Sequence, residues 1–131
     1  MNKAKDKGSF YLHICLSGSF IDGGFYNPTN EQLAIIRAAI DYDGEKLKEI
    51  ISGESFSKTF GKLSDAAALK IAPKGYNTDH RHLDLLRLKS FSVVHKLTHT
   101  DITSKDFSDK VVRIYRELMP FNHYLEQAVS V

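Results

Sequence analysis

The stretch Phe10-Tyr11-Leu12-His13-Ile14-Cys15-Leu16-Ser17-Gly18-Ser19-Phe20-Ile21-Asp22-Gly23-Gly24-Phe25-Tyr26 decides the fold. From Phe10 to Leu16 the side chains alternate with period two. Phe10, Leu12, Ile14 and Leu16 fall on one face, and Tyr11, His13 and Cys15 on the other, the pattern of a pleated strand. Ser17-Gly18 is a turn by composition, so Ser19–Tyr26 returns as a second strand. Inside that return lie Gly23 and Gly24. Two adjacent glycines in a strand mark either a bulge or a place where another backbone or a ligand approaches closely.

Working outward, Asn27-Pro28 ends the hairpin and Thr29 starts a helix. Thr29 with Gln32 has capping-box spacing: the hydroxyl accepts from the third N–H while the amide reaches back. Leu33, Ile36 and Ile40 then recur at helical intervals, predicting a helix near 29–41. Asp43 is placed as the N-cap of a second helix, 43–52, with Leu47, Ile50 and Ile51 on one face and Gly53 as its stop. Phe56 and Phe60 read as core anchors, and Ser64 as the cap of a short helix through Leu69. Ala72 to Asn77 is a loop, and Leu83 with Leu86 suggests one or two helical turns. Phe91–Leu97 is the third strand, with Phe91, Val93, His95 and Leu97 on one side. Ser104 caps the last helix, 105–119, which buries Phe107, Val111, Ile114, Tyr115 and Leu118. Pro120 is expected to kink or break it, with Phe121, Tyr124, Leu125 and Ala128 continuing the face. The order of elements implies an α+β fold: a small antiparallel sheet with helices packed on one face.

The composition agrees. The chain has 131 residues, 42% hydrophobic and 26% charged, enough for one domain with its own core. Residues 1–8 read as a flexible leader and 9–131 as the domain. No apolar run approaches the length of a membrane span, and the lysine-rich start lacks the apolar region of a secretory signal. Cys15 is the sole cysteine, so no internal disulfide can form. It is expected to pack as a small hydrophobe in a reducing, cytoplasmic compartment.

Chemistry leaves fewer traces. Between Ser55 and Lys96 eight basic residues face three acids, Asp65, Asp79 and Asp84. Within that segment the loop Pro73-Lys74-Gly75-Tyr76, with Lys70, Arg87 and Lys89, is the candidate anion site. A glycine loop can aim N–H groups at an anion, lysine and arginine add charge, and Tyr76 offers a stacking face. The ordinary alternative is a surface turn with long stems lying over apolar neighbours. His80 and His82 with Asp79 and Asp84 are the nearest approach to a metal cluster, but a His-x-His step splits its imidazoles between faces unless the segment is extended. No metal or cofactor is expected. There is no nucleophile elbow, Walker loop or dinucleotide fingerprint, and His13 and His95 fall in strands, where a hydrogen-bonded sheet histidine is the common fate.

Four segments carry a family resemblance: Gly18-Ser19-Phe20-Ile21-Asp22-Gly23-Gly24-Phe25-Tyr26, Ala39-Ile40-Asp41-Tyr42-Asp43-Gly44-Glu45, Ala72-Pro73-Lys74-Gly75-Tyr76 and Asp84-Leu85-Leu86-Arg87-Leu88-Lys89-Ser90-Phe91. In this order they resemble the bacterial domain-of-unknown-function family 2461, from about Phe10 to Ala128. The resemblance implies no particular activity. Full members carry an N-terminal half with an Arg-x-x-Arg-Asp-x-Arg-Phe signature that has no counterpart here. The chain therefore resembles the family's C-terminal part, as a natural short form or a truncation. In Asp79-His80-Arg81-His82 the family's proline after the histidine is missing, so the rigid turn it implies does not carry over. The expectation is a non-catalytic binding or interaction module. Its partners would be a second copy or the family's N-terminal half, with an anionic ligand as a further candidate and no membrane. The competing expectation is part of an enzyme acting on a phosphorylated or nucleic-acid substrate through the basic middle.

Overall fold

The computed structural model describes residues 7–130; residues 1–6 of the expected leader lie outside that range. Strand β1 (Ser9–His13) pairs antiparallel with β2 (Ser19–Phe25), which pairs antiparallel with β3 (Phe91–Leu97), in the order β1-β2-β3. Helix α1 (Asn30–Ser52), α2 (Glu54–Phe60), the single turn α3 (Leu83–Leu86), α4 (His99–Thr103) and α5 (Phe107–Val129) complete the described elements. The architecture is α+β, as the strand and helix periodicities predict.

The hairpin forms, but β1 stops at His13 rather than Leu16. The Ser19 hydroxyl accepts from the Cys15 N–H at 3.0 Å and donates to the Cys15 carbonyl at 3.2 Å, and the Gly18 N–H reaches the same carbonyl. These bonds commit the backbone groups of Cys15 to closing a loop. Ile14, Cys15 and Leu16 are consequently exposed, so Cys15 does not pack as a core hydrophobe.

Gly23 and Gly24 do not form a bulge, because both strand registers run through them without interruption. They permit close approach instead. A Cβ on Gly23 would overlap the Leu118 side chain of α5, and one on Gly24 would overlap the Phe91 carbonyl, with Phe121 close by. Helix α5 crosses β2 at this bare backbone and carries Leu118, Phe121 and Leu125 into a core shared with Ile21, Ile36, Ile40, Leu47, Phe91 and Val93.

The Thr29–Gln32 capping box is present in both directions, at 3.1 and 3.0 Å. The two expected helices merge into α1 with a break at Asp43, whose φ of −145° and ψ of 49° leave the helical region. Gly53 ends α1 and opens α2, a helix that places Phe56 and Phe60 in the core. The expected helix from Ser64 to Leu69 is absent. The Ser64 N–H bonds to the Ser92 carbonyl on β3, and the Leu69 N–H to the Arg87 carbonyl, so tertiary bonds hold both ends of the segment and Leu69 gives its N–H to a distant carbonyl instead of to Asp65 four residues back. Helix α4 was not anticipated; Thr98 and Asp101 build its capping box. Ser104 lies between α4 and α5, its hydroxyl accepting from the Asp106 N–H. Pro120 does not break α5, which runs on to Val129. The carbonyl left without a donor belongs to Arg116, and both residues are exposed, so water can satisfy it.

Candidate interaction surface

Directly opposed residues of an antiparallel pair share a face. With Tyr11 opposite Asp22, His13 opposite Phe20, Phe20 opposite Lys96 and Asp22 opposite Val94, the six form one patch across all three strands. This is the face away from α5, since Ile21 and Gly23 of β2 point to the helices. Tyr11 is 52% and Val94 46% exposed, and Lys96 is exposed. His13, Phe20 and Asp22 are half-buried by one another. The His13 ring lies 4.9 Å from Phe20 and 6.0 Å from Tyr11, both stacked or nearly so, and the Tyr11 hydroxyl sits 3.4 Å from His13 Nδ1. Partial burial pushes the Asp22 carboxyl above the usual carboxylate range. An aromatic centre flanked by one acid and one base is the result.

The candidate anion residues do not gather. Arg87 lines a cleft with Lys62, Leu63 and Asp84, whereas Lys89 lines another with Tyr26, Asn27 and Ser90. Lys70, Lys74 and Gly75 are exposed, the Tyr76 N–H closing the loop on the Pro73 carbonyl at 3.1 Å. The Tyr76 ring meets His80 edge-on at 6.0 Å rather than standing free for stacking. Burial raises the Tyr76 hydroxyl, Asp41 adding to the shift and Arg37 opposing it.

His80 and His82 turn towards α1, not towards Asp79 and Asp84. His80 Nδ1 accepts the His82 N–H at 3.0 Å, which puts the ring proton on Nε2, 2.7 Å from Asp41 Oδ1. With both nitrogens engaged, His80 is a latch between the loop and α1 rather than a free base. His82 is 3% exposed; its Nε2 lies 3.2 Å from Glu45 Oε2 without hydrogen-bond alignment. Glu45 is held below the usual carboxylate range chiefly by its own backbone N–H, with His82 and Arg81 adding to it. The His82 ring occupies the space a side chain at Gly44 would need, 2.5 Å from that Cβ position. Asp84 pairs with Lys48 at 3.5 Å, and Asp79 is exposed. Among the described residues no group of three or more His, Cys, Asp or Glu side chains is arranged to hold a metal, and no helix is long and apolar enough to cross a membrane.

Sequence reasoning did not single out Phe20, Val94 and Lys96 as members of one surface site. The available signal was that β1 and β2 carry large apolar or aromatic side chains on both faces, although only one face has helices to cover it.

Fold and surface together define a two-layer α+β protein with an exposed aromatic sheet face. The chain belongs to the family described as conserved hypothetical protein (DUF2461), whose model matches residues 1–124. No curated protein and no solved structure matched the chain.

Proposed function

We propose that the protein is a non-catalytic interaction module whose exposed sheet face packs against the same face of a second copy. The carrying observation is the placement of Asp22 and Lys96 on one face of adjacent strands, around Tyr11, His13, Phe20 and Val94. A two-fold axis lying in the interface, midway between acid and base, brings each Asp22 to the other copy's Lys96 and stacks aromatic centre on aromatic centre. Such a patch is complementary to itself, the requirement of an isologous dimer. Aromatic side chains supply most of the energy of such contacts, and rim charges set register. In a reducing, cytoplasmic setting the exposed Cys15 remains a thiol beside this face.

Sedimentation equilibrium is expected to show a concentration-dependent dimer, and Phe20→Glu a monomer that keeps the native circular-dichroism spectrum and whose melting temperature no longer depends on concentration. Asp22→Lys or Lys96→Asp alone should weaken the dimer about tenfold, and the two combined should restore it. A wild-type chain that stays monomeric throughout the micromolar range removes the proposal.

A further inference from the structure

We propose that the cleft walled by the end of α1, α2, the loop 61–68 and α3 binds a small monocarboxylic acid with an apolar body, its carboxylate held by Arg87. The cleft has a volume of about 570 Å³, within the range of small-molecule sites. Ile51, Leu63, Leu85 and Leu88 supply an apolar wall, and Ser52 and Ser57 supply hydroxyls at the side.

Arg87 gives the cleft its chemistry. Its side chain lines the cleft, its buried Nε makes no hydrogen bond, and no carboxylate pairs with it, so its positive charge has no partner within the described residues. Its backbone is fixed at both ends: the N–H bonds to the Leu83 carbonyl at 3.0 Å, and the carbonyl accepts from the Leu69 N–H at 2.8 Å. From that fixed backbone the terminal nitrogens of the guanidinium are the donors for the two parallel bonds a carboxylate accepts.

The surrounding charge selects a monoanion. Lys62 reinforces Arg87, Asp65 opposes them, and Asp84 is already engaged by Lys48 at 3.5 Å. A single negative charge balances that set, whereas a phosphate dianion would meet Asp65 with excess charge. The cleft is separate from the exposed sheet face, so this inference does not depend on self-association.

Amide chemical shifts of the full chain, titrated with octanoate, methyl octanoate and inorganic phosphate, test it. Octanoate is expected to give saturable shifts at Ser57, Leu63, Arg87 and Leu88, while the ester and phosphate leave these amides in place. Arg87→Met should weaken octanoate binding about tenfold, and the exposed Lys62→Met severalfold without disturbing the fold. The proposal is overturned by any of three results: an ester that binds as well as the acid, phosphate that competes for the same amides, or no saturation by about 10 mM octanoate. Should Arg87→Met fail to fold, the acid–ester comparison and Lys62→Met still decide it.

Discussion

Gly23 shows how one missing side chain positions a helix. Leu118 occupies the space above it, so Gly23→Ala forces atoms of α5 and β2 into overlap. Gly24 is constrained twice, by a φ of +99° and by the Phe91 carbonyl beside it. Gly23→Ala should cost about 1–3 kcal/mol in chemical denaturation, the range of overpacked cores. A shorter residue at 118 removes the overlap, so Gly23→Ala combined with Leu118→Ala should lose less than the sum of the two single changes. Gly24→Ala should gain nothing from Leu118→Ala, because backbone rather than a side chain stands in its way. Additive losses for the first pair would show that α5 does not rest on Gly23. The glycine pair was legible in the sequence as a close approach. Which element approaches was not, because Leu118 lies 95 positions downstream of Gly23 and local pattern holds no such pairing.

At the scale of the element, α1 and α4 are each held by groups they do not contain. The break in α1 at Asp43 is bridged by α5: the Tyr124 hydroxyl donates at 3.3 Å to the Ala39 carbonyl and at 2.9 Å to the Asp43 carbonyl. Burial first, then Asp43 and Glu45, push the Tyr124 hydroxyl up to about 12. A proton held more tightly in the folded state contributes stability that is complete below the ordinary tyrosine value of about 10 and is lost as pH rises towards 12. Ultraviolet titration should show a tyrosine ionising near 12 that is absent from Tyr124→Phe, and that change should cost about 1–2 kcal/mol by taking the shared donor from the two carbonyls. An unchanged stability would mean that water serves them equally well. Helix α4 is capped by Thr98 and Asp101, and Asp101 also accepts from Lys110 of α5 at 2.8 Å. Lys110 above all, then the Thr98 N–H, hold the Asp101 carboxyl down at about 2, from an ordinary 3.8. Its contribution is therefore present above pH 3.8 and lost as pH falls towards 2. A carbon-detected titration should place its midpoint near the lower value, and Asp101→Asn should flatten the stability profile in that window. The capping box at Thr29 was readable because it is local in sequence. The role of Lys110 was not, since it needs α5 folded back on α4.

At the scale of the whole molecule, protection should follow the layering. Strand β2 is paired on both sides and covered by α5, so its amides should exchange slowest with solvent. The segment 64–80 is held by turns and a few long-range bonds and should exchange much faster. Equal protection of the two in hydrogen-exchange mass spectrometry would contradict the layered core. The irregular segment also contains most of the candidate anion site, and this explains why that site dispersed. With no regular element between Gly61 and His82, each side chain goes where tertiary contacts send it: Tyr76 and His80 to α1, Lys74 to solvent. The amino-acid order by itself determined the three strands, the capped first helix and the amphipathic last one, because alternation and capping act between residues a few positions apart. Only the tertiary structure decided where β1 ends, that α5 passes through Pro120, that His80 is tied to Asp41, and that one aromatic sheet face stays uncovered. Those outcomes depend on which distant groups compete for the same hydrogen bonds and the same apolar surface, and that competition exists only in the folded chain.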